Sequence, residues 1–146
     1  MPSLRVGSET NPIRLAVFIS GSGSGMIALE QYAQENQVCF EISVVISDKQ
    51  STGLAKAECA DLATELCLVS SDESKETRRR EHEIRIQKLL DKYNIEAIIL
   101  SGYMRLLSAE FVSDWEGKVL NIHPSLLPKH PGAHAHRDVI SSGDKQ

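Results

Sequence analysis

Short apolar runs alternate with longer stretches of helical spacing along most of the chain. The apolar runs predict strands over residues 14–19, 39–46, 67–69, 97–100 and 118–121. The stretches between them predict helices over residues 26–34, 51–63, 74–92 and 109–115. The strand runs lack the polar–apolar alternation of a half-exposed sheet, so we expect both faces of the sheet to be covered. This order predicts an α/β fold with a doubly wound, mostly parallel sheet.

The long helix predicted over residues 74–92 has two chemically different sides. Its apolar positions predict a buried side, which consists of Ile84, Ile86, Leu89 and Leu90. The charged run over residues 78–81 is expected to lie on a solvated face.

The length, composition and charge are typical of one soluble domain. A chain of 146 residues is the size of a single domain and can bury a substantial core. We expect an N-terminal arm over residues 1–12 and one domain over residues 13–146. The arm lacks the apolar segment of a signal peptide and no apolar run has the length of a membrane span, so we expect a cytoplasmic protein with no membrane partner. The net charge of −4 argues against nucleic-acid binding.

The cysteines and histidines do not predict a metal site. The three cysteines, at positions 39, 59 and 67, form no CxxC pair, and we expect them to be reduced thiols. Four histidines fall between residues 123 and 136, but they form no HExxH motif and no cysteine or acidic residue lies among them.

A glycine-rich turn, Gly21-Ser22-Gly23-Ser24-Gly25, follows the first predicted strand. Ligands of open parallel sheets bind beyond the carboxyl ends of the strands. Glycines allow a close backbone approach, and the amides that begin the next helix favour a phosphate. A dinucleotide fits less well, because Met26 stands where GxGxxG has its third glycine and Ser47, rather than an acidic residue, ends the second predicted strand. A flexible turn without a ligand is the other alternative.

The segment from Ser101 to Leu107 follows the fourth predicted strand. Met104, Leu106 and Leu107 could line an apolar pocket in which Arg105 meets an anionic group. The alternative is a set of ordinary core residues at the start of a helix.

Asn121 and His123 are two residues apart at the end of the fifth predicted strand, so their side chains leave the same face. An amide can stabilise a developing oxyanion and an imidazole can transfer protons, a pairing suited to acyl chemistry. The prolines at positions 124, 128 and 131 stiffen the segment that follows. The alternative is a structural histidine at a strand end.

Three segments, in this order, resemble a known enzyme family. They are residues 19–24 (ISGSGS), 100–107 (LSGYMRLL) and 121–129 (NIHPSLLPK), the last continued by Pro131-Gly132 and residues 134–137 (HAHR). They are similar to segments of the phosphoribosylglycinamide formyltransferases, the folate-dependent enzymes of purine biosynthesis, and the resemblance runs from about residue 13 to the end. The NIHPSLLP stretch is highly specific for formyltransferases in general, and its continuation favours this family among them. The resemblance implies a Rossmann-like sheet.

The same resemblance implies transfer of a formyl group from the co-substrate 10-formyltetrahydrofolate to the amine of glycinamide ribonucleotide. Asn121 would bind the formyl oxygen as it becomes an oxyanion, and His123 would assist that stabilisation and the proton transfers. The backbone amides of residues 21–25 would hold the substrate phosphate. The remaining implied roles are folate binding and support: Met104, Arg105, Leu106 and Leu107 would flank the pterin, Arg79 would meet the glutamate tail, and His134 would support the active site.

The chain departs from the family pattern in two places, and each departure leads to an expectation. Gly25 stands where the family usually has Asn, so we expect a looser start to the first helix. The family's sequence continues through further strands and a final helix, and that part carries the Asp that pairs with the catalytic His. We therefore expect the 146-residue chain to be inactive alone and to need a C-terminal segment or a second chain.

Related enzymes and a non-enzymatic role are the alternatives to this interpretation. A methionyl-tRNA formyltransferase should carry a basic C-terminal domain, and a formyltetrahydrofolate hydrolase should carry an N-terminal regulatory domain. A third alternative is a non-catalytic fragment that binds a phosphate or a ribonucleotide.

Overall fold

The computed structural model describes residues 4–69 and 74–122. Strands and helices alternate through these ranges: β1 (Ile13–Ile19), α1 (Ser24–Glu35), β2 (Phe40–Ser47), α2 (Thr52–Cys59), β3 (Thr64–Leu66), α3 (Lys75–Lys92), β4 (Ala97–Ser101), α4 (Ala109–Asp114) and β5 (Val119–Ile122).

The strands of the described ranges form one sheet in the order β3-β2-β1-β4-β5, and all neighbouring strands run parallel. The chain first builds outward from β1 to β3, then crosses to the other side of β1 and adds β4 and β5. The predicted doubly wound, parallel α/β fold is confirmed. Its switch point lies between β1 and β4, and the carboxyl ends of these two strands form the crevice in which such sheets bind ligands.

Two apolar layers cover the two faces of the sheet. In β1, Ile19 joins the layer beneath α1 and α2, whereas the neighbouring Phe18 joins the layer beneath α3 and α4. Met26 of α1 and Ile86 of α3 complete the two layers, and both are 0% exposed. Burial on both faces explains why the strand runs are continuously apolar rather than alternating.

The third strand lies three residues earlier than the predicted range of 67–69. After β3, the Cys67 N–H still donates to the Ser47 carbonyl at 2.8 Å, and the chain then runs under α3. There the Cys67 carbonyl accepts a hydrogen bond from His82 Nε2 at 2.7 Å. The predicted position was wrong because the buried Cys67 lies just past the strand and packs beside α3, whereas the paired residues 64–66 are not buried.

The buried side of α3 was predicted only in part. Ile86 and Leu90 are buried, but Ile84 is 52% exposed and His82 takes an inward position with 4% exposure. Residues 82, 86 and 90 repeat every four positions and so share one face, whereas residue 84 points away from it. The apolar character of Ile84 misled the sequence analysis, because it lies outside that repeat.

The segment before β1 is attached to the amino-terminal edge of the sheet. The Arg5 guanidinium forms an ion pair with Glu96 and also donates to the carbonyls of Asn11, at 3.0 Å, and Pro12, at 2.9 Å. The hydrogen bond from Arg5 lowers the pKa of Glu96 from its usual value. These contacts lie at the opposite end of the strands from the crevice.

Candidate functional site

The loops that follow β1 and β4 meet at the switch point of the sheet. Ser20, the residue after β1, is 5% exposed. Its Oγ accepts a hydrogen bond from the Met104 N–H at 2.8 Å. This bond joins the glycine-rich turn (residues 21–25) to the β4–α4 loop (residues 102–108), so the structure brings together the segments that follow two different strands.

The glycine-rich turn presents backbone amides rather than side chains. Gly23 has a left-handed backbone conformation, with φ of 70°, and is the N-cap of α1, so it offers no side chain to the first-turn amides. Ser24 and Gly25 already lie in α1, which begins two residues before the predicted position 26. Gly21 and Ser22 are exposed. Exposed N–H groups at the start of a helix suit an anion.

The β4–α4 loop is held by side chains instead. Met104 and Leu106 are 75% and 78% exposed. Arg105 Nε donates to Asp48 Oδ2 at 3.1 Å, and the Asp48 side chain is only 3% exposed whereas that of Arg105 is 50% exposed. Asp48 directly follows β2 and reaches across the end of β1. It fixes Arg105 from beneath and leaves the rest of the guanidinium at the surface.

A cavity of about 240 Å³ opens beside this loop and has an apolar side and a basic side. Its lining residues are Val69, Lys75, Arg78, Arg79, His82, Glu83, Met104, Arg105, Leu106 and Leu107. The structure thus brings Arg79 together with the four residues of the β4–α4 loop that the sequence singled out. Arg79 is half-buried, which corrects the expectation that the whole run 78–81 lies on a solvated face. This lining suits an elongated ligand with an apolar body and an anionic end.

Glu83 fixes α4 against α3 at the rim of this cavity. Its carboxylate accepts hydrogen bonds from the Ser108 N–H at 2.7 Å and from the Ser108 hydroxyl at 2.6 Å. The Ser108 Oγ in turn accepts from the Phe111 N–H at 3.1 Å and caps α4. The end of the β4–α4 loop is therefore anchored independently of Asp48.

Burial shifts the pKa values of two ionisable groups that lie beneath the β4–α4 loop, His82 and Tyr103. Burial lowers the pKa of His82 below its usual value, an effect that outweighs the opposing hydrogen bond to the Cys67 carbonyl. Burial also raises the pKa of Tyr103, whose ring packs edge-on against Phe18 with a centroid distance of 5.2 Å. Near neutral pH both groups are therefore uncharged, and the positive charge of the cavity comes from its lysine and arginines.

Asn121 lies in β5, the strand next to β4, and is half-buried. It pairs with Leu100 in the parallel register. Val119 packs in the layer beneath α3 and α4, and Asn121, two residues further along, faces the same side of the sheet. His123 and His134 lie outside the described residues, so the pairing of Asn121 with His123 stays a prediction.

Three residues of this edge were missed by the sequence analysis: Ser20, Asp48 and Gly53. The Gly53 N–H donates to the Gly21 carbonyl at 3.0 Å, so α2 touches the glycine-rich turn directly. A signal for Gly53 existed, since a glycine within a predicted helix is unfavourable unless something requires it. Asp48 directly follows a strand, which is a position where functional residues occur in such sheets. No signal distinguished Ser20 from other polar residues of the turn.

The described parts of the chain were also searched for two other kinds of feature. Within residues 4–69 and 74–122, no group of three or more His, Cys, Asp or Glu side chains has an arrangement that could hold a metal ion. No helix in these ranges is long and apolar enough to cross a membrane.

Comparison with known proteins shows a consistent set of relatives. The formyl transferase family matches residues 13–146. The phosphoribosylglycinamide formyltransferase of Escherichia coli is 39% identical over 137 residues, which are 92% of this chain and 62% of that enzyme. The trifunctional purine biosynthetic protein adenosine-3 of Gallus gallus is 40% identical over 136 residues, 92% of this chain and 13% of that protein.

A solved structure shows the same likeness. The phosphoribosylglycinamide formyltransferase of Brucella melitensis superposes with a TM-score of 0.70 at 44% identity, covering 90% of this chain and 67% of that one. The chain therefore spans less than two thirds of the two curated relatives and about two thirds of this structural neighbour. The matched family covers nearly all of the chain, and we conclude that this chain belongs to the formyl transferase family.

Proposed function

We propose that this chain provides the substrate-binding edge for transfer of a formyl group from 10-formyltetrahydrofolate to the amine of glycinamide ribonucleotide, a step of purine biosynthesis. One observation carries the proposal. The amide-presenting turn, the amphiphilic cavity and Asn121 belong to β1, β4 and β5, which are adjacent in the sheet. Relatives named phosphoribosylglycinamide formyltransferase match over nine tenths of the chain and support this choice of substrates.

The glycine-rich turn would bind the ribonucleotide through its phosphate. The unpaired amides of the first turn of α1 and the positive end of the helix dipole both favour a dianion. Gly21 is exposed and has no side chain, so a phosphate can approach the backbone there without displacing one. The Ser20–Met104 hydrogen bond then keeps the bound ribonucleotide next to the β4–α4 loop.

The cavity beside the β4–α4 loop would bind the formyl-folate. Met104 and Leu106 offer apolar surface to its ring system, and Arg79 offers a cation to its glutamate carboxylates. Neutral His82 would add a polar wall without repelling a cationic or anionic group. The folate is a co-substrate here, and the chemistry needs no metal.

In the chemical step, the substrate amine would attack the formyl carbon, and the formyl C=O would become an oxyanion. The Asn121 side-chain amide would donate a hydrogen bond to that oxygen, which stabilises the charge as it develops. The new C–N bond would remain when the bond to N10 of the folate breaks. The amine loses one proton and N10 gains one, and His123 is the residue that we assign to this transfer.

We assign the reaction to the cytoplasm and to small-molecule substrates without nucleic acid. The three cysteines form no disulfide, and Cys39 and Cys59 are exposed as free thiols. Free exposed thiols are typical of a reducing compartment.

Substitution of Asn121 tests this function directly. In a protein that contains this chain, Asn121→Ala should lower the rate of formyl transfer by about 10²–10³-fold, as loss of one oxyanion donor does. Asn36→Ala is the matched control, because Asn36 is an exposed asparagine whose side chain only donates to the Tyr32 carbonyl. Glycinamide ribonucleotide should still bind to both variants, as measured by calorimetry. An Asn121→Ala protein with unchanged transfer, or a folded chain that binds neither substrate, would contradict the proposal.

A further inference from the structure

Gly53 occupies the second position of α2, where helix propensity argues against a glycine. The helix start does not require it, because the Ser51 Oγ already caps α2 by accepting from the Leu54 N–H at 3.3 Å. Gly53 is also not among the glycines with a positive φ in the described ranges. A close approach by another part of the chain must therefore explain this residue.

The close approach is to the backbone of the glycine-rich turn. A Cβ atom on Gly53 would lie 2.6 Å from the Gly21 carbonyl oxygen and 3.0 Å from the Gly23 amide nitrogen. In the opposite direction, a Cβ on Gly23 would lie 3.0 Å from Gly53 Cα. The first turn of α2 and the turn after β1 thus pack backbone against backbone. Any side chain at position 53 must move one of them.

The contact also fixes the direction of one carbonyl group. The Gly53 N–H donates to the Gly21 carbonyl at 3.0 Å, so this oxygen is directed toward α2. A carbonyl oxygen repels an anion, whereas the first-turn amides of α1 attract one. With the Gly21 oxygen occupied by α2, the amides are the backbone groups left to face a phosphate.

We infer that Gly53 is a positioning residue for the phosphate of the ribonucleotide: it lets α2 hold the Gly21 carbonyl and thereby sets the shape of the glycine-rich turn. The inference rests on the proposed function, because it takes glycinamide ribonucleotide as the ligand of the turn. It assigns α2, which contains none of the predicted site residues, as a structural wall of the phosphate site.

The test compares a phosphorylated ligand with its phosphate-free counterpart. Calorimetry on Gly53→Ala should show glycinamide ribonucleotide and inorganic phosphate bound about 10- to 100-fold more weakly, the fold-change expected when a charged hydrogen bond is lost. Affinity for glycinamide riboside, which lacks the phosphate, should not change. Gly117→Ala is the control for a destabilising glycine substitution away from the turn, because Gly117 has a φ of +77° but a Cβ there meets nothing within 4 Å. It should leave all three affinities unchanged.

A second variant separates loop positioning from core packing. A Cβ on Gly53 would also lie 2.6 Å from Ile19 Cδ1, the methyl that Ile19→Val removes. The double variant Ile19→Val with Gly53→Ala should keep the weak phosphate binding, because the clash with the Gly21 carbonyl remains. Recovery of wild-type affinity in the double variant would overturn the inference, since it would assign the defect to the core.

Two other outcomes are equally decisive. Unchanged phosphate affinity in Gly53→Ala, or an equal loss of ribonucleotide and riboside binding, would overturn the inference and leave the proposed function intact. If the wild-type chain is folded and binds no phosphorylated ligand, the proposed function itself fails, and the inference fails with it.

Discussion

The two loops that meet at the switch point are held in opposite ways. The glycine-rich turn is fixed by backbone contacts with α2 and has Gly23 packed against Gly53 Cα. The β4–α4 loop is fixed by side chains, through Ser20 on Met104 and Asp48 on Arg105, and exposes Met104 and Leu106. A phosphate binds to backbone amides, which need a rigid turn, whereas a folate-like ligand needs apolar side chains that remain accessible. The difference teaches that the support of each loop leaves accessible the groups that its proposed ligand would use: the backbone amides in the turn, and the apolar side chains in the β4–α4 loop.

The largest expected effect comes from a matched pair of glycines, one in each loop. Gly23 and Gly102 both have a φ of 70°, but a Cβ at Gly23 meets Gly53 and Met26 at 3.0 Å, whereas a Cβ at Gly102 meets nothing within 4 Å. Gly102→Ala should cost only the left-handed conformation, about 1–2 kcal/mol. Gly23→Ala should cost about 2–4 kcal/mol, because overpacking adds to that strain. Urea unfolding measures both, and equal losses would show that the backbone packing of the turn is unimportant.

Loss of the hydroxyl that joins the loops should have a smaller effect. Ser20→Ala removes the acceptor of the Met104 N–H, which is bonded at 2.8 Å, and should cost about 1 kcal/mol. Hydrogen exchange at the Met104 amide should become about fivefold faster if the loop opens locally. Exchange at the first-turn amides of α2 should not change. An equal acceleration in both places would mean that the loops are not held separately.

Loss of the Asp48 carboxylate should affect the β4–α4 loop and leave the glycine-rich turn unchanged. Asp48→Ala removes the anchor of Arg105, and because the Arg105 side chain is 50% exposed, the global stability should fall by only about 1 kcal/mol. The expected result is a weaker affinity for 10-formyltetrahydrofolate with unchanged affinity for inorganic phosphate. Lys49→Ala, at the exposed neighbouring position, is the control. A larger loss of phosphate than of folate affinity would reverse the proposed division between the loops.

The smallest expected effect is that of pH on stability, and it arises from a residue beneath the β4–α4 loop. His82 is the only histidine within residues 4–69 and 74–122, and burial lowers its pKa from the usual value of 6.5. The unfolded chain therefore binds a proton more readily than the folded chain, so stability should fall as the pH drops below about 6.5. His82→Gln keeps an N–H donor for the Cys67 carbonyl and should flatten this part of the profile. Urea unfolding between pH 7.5 and pH 5.5 checks both proteins, and identical slopes would contradict the assignment.

Sequence reasoning succeeded where burial alone decides the structure. Continuous apolar runs such as residues 14–19 identified four of the strands closely, because a sheet covered on both faces leaves no other pattern. It failed at residues 67–69, where burial against α3, as at Cys67 beside His82, rather than burial in a strand gives the apolar signal; the Cys67 N–H is the last group of this segment bonded to β2. Local pattern cannot distinguish these two kinds of burial, since both place an apolar residue in the core.

The residues of the candidate site also divide into those that local sequence signals identify and those whose contacts depend on the fold. The turn over residues 21–25 and the segment 104–107 could be found from sequence, because glycines and exposed apolar residues after a strand are local signals. For Asp48 and Gly53 the local signals could not show what each residue contacts, since their partners, Arg105 and Gly21, are 57 and 32 residues away along the chain. The parallel sheet brings them together, and only the strand order reveals it.

The most direct test of the account is an NMR titration of the amide resonances with each substrate in turn. Glycinamide ribonucleotide should shift the amides of residues 21–26, and 10-formyltetrahydrofolate should shift those of residues 102–107 and of Arg79. Ser20 and Met104, where the loops are bonded, should shift with either ligand, and no other residue should be common to the two sets. Shifts that lie mainly at the amino-terminal edge of the sheet, or the same set for both ligands, would contradict a site divided between two loops at the switch point.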